Sequence, residues 1–305
     1  MIAYILRRLF YAIFVLFGVA TVVFFITRLT GDPVSIMLPP DATVEQEAQL
    51  RAALGLDHSL LEQYGIYLKD LLHLDLGESL RYQQPTIQLI GERLPATLQL
   101  AGASLIFSLI IAIPAGILSA VKRGKAADKG IISLVLIGQS IPVFWMGIVL
   151  VLLFAVELHW LPTGGIGGWK HLILPAIALG LHLMALVTKL LRSSLIETRG
   201  SDYIRTARAK GLMPGKVMAK HALRNALLPV ITVVGLEIGS LLGGSVVTES
   251  VFAWPGVGQL LVQAIYNRDF PLVQGALILL AGIFVLINLL VDICYVFVDP
   301  RIELE

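Results

Sequence analysis

Ser140 and His182 stand on two different apolar stretches, and a hydroxyl beside an imidazole is the smallest pairing that could cleave a bond by nucleophilic attack inside a membrane. The surrounding pattern does not develop that chemistry. There is no Gly-x-Ser-x-Gly, no His-Glu-x-x-His and no cysteine pair, and the single cysteine, Cys294, lies in an apolar run that offers no thiol cluster for a metal. A Ser and a His on separate helices read more simply as helix packing with a hydrogen-bonded polar contact. Phosphate chemistry would need Gly-x-x-x-x-Gly-Lys-Ser/Thr, whose amides cradle the anion and whose hydroxyl holds magnesium. The nearest run, Gly211-Leu-Met-Pro-Gly215-Lys216-Val217, has the wrong spacing and lacks the hydroxyl. This chain therefore binds no cofactor of its own by these patterns, and any ATP-driven work must draw on a partner.

Ionisable groups inside apolar spans are costly unless they face a polar interior, so they mark candidate paths. Glu237 is the deepest, on a stretch where Gly235, Gly239 and Gly243 recur every four residues. Such a stripe lets helices approach closely. Ser140, Glu237, Gly239 and Gly243 are the candidates for a translocation path, while Asp292 reads as a structural anchor.

The elements that must position these residues follow from composition. Of 305 residues, 57% are hydrophobic and only 14% charged, and the mean hydropathy is +0.84. An integral membrane protein is implied. A spanning helix needs roughly 20 apolar residues, and six stretches qualify, near 9–29, 97–121, 131–156, 172–192, 227–250 and 273–298. The runs are continuous rather than alternating, so the fold class is all-α and not a barrel. With the N-terminus inside, 16 of the 23 Lys and Arg fall on the cytoplasmic side, while segment 30–95 carries ten acidic against four basic residues. Both termini are placed in the cytoplasm, including the short tail 299–305. The first stretch, 1–29, follows Arg7-Arg8 and lacks a small-residue cleavage site, so it reads as a retained helix. The formal net charge of +2 reflects loop asymmetry and implies no nucleic acid.

Segment 30–95 is the one sizeable stretch on the outer side. Thr43 and Gln46 have capping-box spacing for a helix to about Leu54 that Gly55 would end. Asp57 is placed to start a second, with Leu60, Leu61, Tyr64, Leu68, Leu71 and Leu72 on one face, which packs over the spans or lies on the lipid surface. Residues 96–298 form a five-helix core interrupted by a basic loop, 193–226. Pro114, Pro142 and Pro175 fall in or near spans, where they can kink helices.

The loop is the most informative stretch. It reads Asp202-Tyr-Ile-Arg-Thr-Ala-Arg-Ala-Lys-Gly211, then His221-Ala-Leu-Arg-Asn-Ala-Leu-Leu-Pro229. Ser201 or Asp202 can cap a helix over Tyr203–Lys210, Gly211 supplies the left-handed residue that ends it, and Pro214 suits the first turn of a second helix toward Arg224. Ala207 and Ala209 are small enough for a partner to approach, and Arg205, Arg208 and Lys210 stay solvated or meet acidic partner groups. Positive-inside charge explains the basic residues but not the order of Tyr, small residues and glycine.

This run resembles the coupling loop of the inner-membrane permease subunits of peptide and nickel ABC importers. The likeness extends along the chain through Gly31-Asp32-Pro33, Leu54-Gly55-Leu56-Asp57, Asp75-Leu-Gly77, Leu94-Pro-Ala-Thr97, Phe252-Ala-Trp-Pro-Gly-Val-Gly258, Arg268-Asp-Phe-Pro271 and Asp299-Pro-Arg301. The wider importer pattern of Glu-Ala-Ala, Gly and Ile-x-Leu-Pro is met only at Ala207, Gly211 and Leu223, so no role is carried over from a Glu at position 205.

The resemblance implies a type I ABC importer permease fold in a bacterial inner membrane. It further implies that Tyr203, Arg205, Thr206, Ala207, Ala209, Lys210, Gly211 and Leu212 dock on a cytoplasmic ATPase. The implied partners are a second, similar permease, two ATP-binding cassette subunits that hold ATP and magnesium, and an external solute-binding protein, with membrane lipid around them. Di- or oligopeptides rank first as cargo, ahead of nickel or another metal chelate or glutathione. His159-Trp-Leu-Pro162 and Gly167-Gly-Trp-Lys-His171 lean toward the nickel-type members. An intramembrane enzyme and a secondary transporter are the alternatives of other classes, and nothing in the chain resembles the paired repeats of the latter.

Overall fold

Long apolar runs with few helix breakers leave the backbone little choice but to bond to itself, and the computed structural model is built of helices accordingly. It describes residues 2–30, 34, 38, 43–53 and 55–298. In chain order the helices are α1 (Ile2–Thr30), α2 (Val44–Ala53), α3 (Leu60–Leu72), α4 (Thr86–Val121), α5 (Ala126–Ser140), α6 (Val143–Leu150) with a π-helical continuation Val151–Glu157, and α7 (Trp169–Gly200). Then come α8 (Asp202–Ala209), α9 (Pro214–Lys216) continuing as a π-helix Val217–Leu223 into α10 (Arg224–Ala226), α11 (Leu228–Val251), α12 (Val257–Tyr266) and α13 (Phe270–Val298). Among the described residues five helices are long and apolar enough to cross a membrane, or six if the bent pair 126–157 is one span. Hydroxyls inside these helices bond back to their own turns, as Thr27 to Val23 O (2.9 Å), Ser104 to Leu100 O (2.8 Å) and Thr188 to Met184 O (2.7 Å). That satisfies them where water is absent.

The third expected span differs from a straight helix. α5 and α6 meet at an angle of 105°. Pro142 has no N–H and disfavours a helical residue before it, and Ile141 is extended at φ −88°, ψ 128°. Pro175, by contrast, lies within a continuous α7.

The chain divides into two compact units, with boundaries at Pro95/Ala96, Pro255/Gly256 and Val285/Leu286. The first holds α1–α3, the start of α4, α12 and most of α13. Its outer helices start as capping chemistry dictates. Thr43 and Gln46 exchange hydrogen bonds (Thr43 N to Gln46 Oε1, 2.9 Å; Gln46 N to Thr43 Oγ1, 3.3 Å), and Gly55 is left-handed at φ +64°. The second cap is Ser59, not Asp57: Ser59 N donates to Glu62 Oε2 (2.9 Å) while Glu62 N donates to Ser59 Oγ (3.4 Å). The amide of Ser59 holds the Glu62 carboxyl below its usual range. α3 packs its aromatic face on α1, with Phe24 5.2 Å from both Tyr64 and Tyr67 ring centres and Thr21 Oγ1 bonded to Tyr64 Oη at 2.7 Å. Leu60, Leu61 and Leu72 of the expected apolar stripe stay exposed.

Asp269 organises the rest of this unit. It is 1% exposed and accepts hydrogen bonds from the Ser79 hydroxyl and from the amides of Leu80 (3.1 Å), Arg81 (3.3 Å) and Leu272 (3.4 Å). Around it Ile90, Val257, Leu260, Leu261 and Leu272 form an apolar core. The Arg268-Asp-Phe-Pro271 motif is thus the clamp that holds the 79–81 turn. Asp269→Ala strands two loop amides and a hydroxyl, and is expected to lower stability by about 3 kcal/mol. Thermal unfolding of the purified protein in detergent would read that loss, and an unchanged midpoint would refute the clamp.

The second unit contains the remainder of α4 and α13 with α5–α11. Its close crossing is α4 on α7: a Cβ at Gly180 would lie 2.7 Å from the Ser104 carbonyl oxygen, and Ser108 Oγ donates to Gly180 O at 2.6 Å. Leu150, Leu174, Ala178 and Phe252 pack beside it. Trp254, 1% exposed, donates from Nε1 to Ala96 O at 2.8 Å and from its amide to Glu249 O at 2.8 Å, which fixes the turn after α11.

Of the sequence motifs, Gly31-Asp32-Pro33, Leu54, Asp299-Pro300-Arg301 and the rest of the tail lie outside the described residues, as do the side chains of Asp292 and Cys294.

Candidate coupling surface and buried polar anchors

α8 forms where small and basic residues follow a capping position, and its two faces differ sharply. Ile204 is fully buried and Ala207 is 8% exposed, whereas Tyr203, Arg205, Thr206, Ala209 and Lys210 face outward. Ala207 is therefore turned toward its own chain and Ala209 away from it. Ser201 occupies the capping position, but its hydroxyl donates back to Thr198 O at 2.6 Å instead of capping α8. The helix stops because Gly211 is left-handed, at φ +75°. Leu212 is half-buried beyond it.

The following segment completes the mount. Pro214 opens α9, as its locked φ and missing N–H allow. The π-helical turn then matters to burial: Val217, Ala222 and Ala226 are inward, while Lys216, Lys220 and Arg224 are exposed. The wider turn brings residues five apart onto one face, so the small apolar side chains pack and the cations stay wet. Asn225 Nδ2 donates to Tyr203 Oη at 2.8 Å, tying this segment to α8.

α7 also holds a buried ion pair that the motifs above do not include. Arg192 on α7 grips Asp128 at the start of α5 with two bonds, Nε to Oδ1 at 2.7 Å and Nη2 to Oδ2 at 2.8 Å. The Asp128 side chain is 5% exposed and also accepts from Ser119 and from the Gly124 amide (2.8 Å). Arg199 donates to Ala120 O at 3.0 Å. The usable signal was charge: Asp128 is the one acid in a loop of Lys122, Arg123, Lys125 and Lys129.

The candidate path residues are more scattered. Ser140 ends α5 at the bend, exposed, and donates to Leu136 O at 2.9 Å, so its hydroxyl serves its own helix. His182 is exposed on α7. Glu237 is half-buried, Gly239 buried and Gly243 exposed, so the glycine stripe does not present one face. Gly235 instead meets Val291, where a Cβ would come within 2.5 Å of Cγ1, and Gly244 meets Leu179. Glu249, not Glu237, is the fully buried acid of this helix, and it accepts from Thr97 Oγ1 at 2.7 Å. Among the described residues no three His, Cys, Asp or Glu side chains are grouped to hold a metal.

The family described as the binding-protein-dependent transport system inner membrane component matches residues 112–304, and its N-terminal companion matches residues 1–101. The chain belongs to this permease family. Among curated relatives the permease is 43% identical, over 99% of its length and 100% of theirs, to the dipeptide transport system permease protein DppB of Alkalihalophilus pseudofirmus. It is 41% identical to DppB of Escherichia coli K12 and 40% identical to the glutathione transport system permease protein GsiC of the same strain, each over 99% of both chains. An inward-facing structure of the MetNI methionine ABC transporter superposes with a TM-score of 0.57 at 21% identity, covering 70% of the permease and 97% of that chain. At that identity the likeness speaks to the fold alone, which is that of an ABC importer permease. The permease is thus a multi-pass membrane protein and a transport component rather than an enzyme, and the Ser140–His182 hydrolase reading falls away.

Proposed function

We propose that this permease forms part of the channel of an ATP-driven importer of di- and oligopeptides in a bacterial inner membrane, and that α8 docks on an ATPase. The observation that carries the docking role is the split of α8 into a buried face, Ile204 and Ala207, and an exposed face, Tyr203, Arg205, Thr206, Ala209 and Lys210, ended by left-handed Gly211. A helix anchored from behind and bare in front can pass force in both directions. The partners are a second permease of the same family, two ATP-binding cassette subunits that hold ATP and magnesium, and an extracytoplasmic solute-binding protein. Both termini and the 193–226 loop face the cytoplasm, as the excess of Lys and Arg there favours.

The peptide assignment is supported by full-length relatives named for dipeptides, and the relative named for glutathione, itself a peptide, fits the same cargo class. Vesicles containing the assembled transporter should accumulate a labelled dipeptide when ATP is supplied on the α8 side, in competition with other short peptides. Uptake of a nickel chelate without dipeptide uptake would overturn the cargo. Glu237, the half-buried carboxylate on α11, belongs to the path. Glu237→Gln should slow uptake several-fold at unchanged expression, and unchanged uptake would remove it from the path.

A further inference from the structure

The loop after α4, the end of α7 and the last turn of α8 enclose a pocket of about 360 Å³ whose lining is Ala120, Val121, Arg123, Ile196, Arg199, Gly200 and Arg208. Its chemistry is two-sided. Three arginines line it with no carboxylate among the lining residues, and Ala120, Val121 and Ile196 are its apolar members. Arg199 is half-buried, with one N–H on the Ala120 carbonyl, so its guanidinium is held in place. Among the described residues Arg123 and Arg208 meet no acidic partner, although Arg192 and Arg205 nearby do. The pocket also lies where two membrane-length helices, α4 and α7, run out. The ends of membrane-length helices lie in or just beyond the headgroup region.

We propose that Arg123, Arg199 and Arg208 form a headgroup site for an anionic phospholipid of the leaflet on the α8 side, the phosphate meeting the guanidinium groups and the first acyl methylenes the apolar members. Guanidinium groups suit phosphate because several N–H donors can address one anion, and basic pockets beside spans attract acidic lipids. Arg208 belongs to α8, so the lipid bridges the membrane surface and the coupling helix. Arg208 is then a lipid contact, distinct from the ATPase-facing residues. The location at the cytoplasmic leaflet rests on the orientation proposed above; the pocket itself does not.

The test uses the assembled transporter, equilibrated with phosphatidylcholine or with phosphatidylcholine and phosphatidylglycerol and examined by native mass spectrometry. Phosphatidylglycerol should be retained in preference to phosphatidylcholine, and Arg123→Gln and Arg208→Gln should each weaken retention about fivefold. Arg208→Lys, which keeps the charge, should weaken it less. Variants must match the parent in thermal stability, which separates lost lipid from lost fold. Equal retention of both lipids, or of phosphatidylglycerol by the double variant, would overturn the site. Displacement by millimolar inorganic phosphate would reassign it to a free anion, against the proposal. Thiol labelling of Arg208→Cys in a Cys294→Ser background reads the orientation separately.

Discussion

Gly211→Val is expected to reduce ATP-driven uptake to near background while the permease still assembles with its partners. Gly211 has φ +75° with no atom beyond its chain neighbours within 4 Å of where its Cβ would stand, so the penalty is one of backbone conformation and not of collision. A left-handed residue with a side chain costs about 1–2 kcal/mol, and a β-branched one is the least tolerant. A substitution that must relax φ would swing Lys210 and α8 away from the Pro214 segment, although the spans on either side are untouched. The graded series is diagnostic. Gly211→Asn should retain most uptake, because Asn tolerates the left-handed region, Gly211→Ala should lie between, and Gly211→Val should fail. Normal uptake and substrate-stimulated ATP hydrolysis by the Val variant would end the coupling assignment.

Arg192→Met is expected to cost stability at the level of about 3 kcal/mol, because it leaves the Asp128 carboxylate buried without its cation. The Ser119 hydroxyl and the Gly124 amide still donate to it, which places the loss at the lower end for a broken buried pair. Removing both charges is a different matter. Asp128→Leu with Arg192→Met should recover only part of the loss: an apolar pair replaces the ion pair at little penalty, but the Ser119 hydroxyl and the Gly124 amide lose their acceptor. Thermal unfolding of the two variants in detergent decides between these outcomes. A double variant as unstable as the single one would mean that the pair supplies geometry that apolar packing cannot replace.

What could be read in the chain was what neighbouring residues decide. The left-handed stop at Gly211, the box at Thr43 and Gln46, and Pro214 at a helix start are each fixed by residues within a few positions, and the apolar runs fix the helices. The failures have the same root. Ser59 won the start of α3 from Asp57 because Glu62 stands three residues on and returns its bond. Ser201 does not cap α8: its hydroxyl is turned back to donate to Thr198 O at the end of α7, and no amide of α8 donates to it. The Asp128–Arg192 pair joins residues 64 apart and the Asp269–Ser79 clamp residues 190 apart, distances over which no local pattern speaks. Glu237 drew notice by its place in an apolar run, yet Glu249 near the helix end is the one enclosed.

The 105° break at Ile141–Pro142 has a consequence for what the lone chain lacks. α5 has 15 residues, about 22 Å of helix, which is less than a hydrocarbon core of about 30 Å. Neither half can cross alone, so the corner falls at membrane depth, with the last carbonyls of one half and the first amides of the next unbonded within their helices. Hydrocarbon offers such groups no partner. With Ser140, Phe144 and Trp145 all exposed there, that corner is insoluble in lipid as it stands, and the folded permease is finished only when protein or water fills the space beside it.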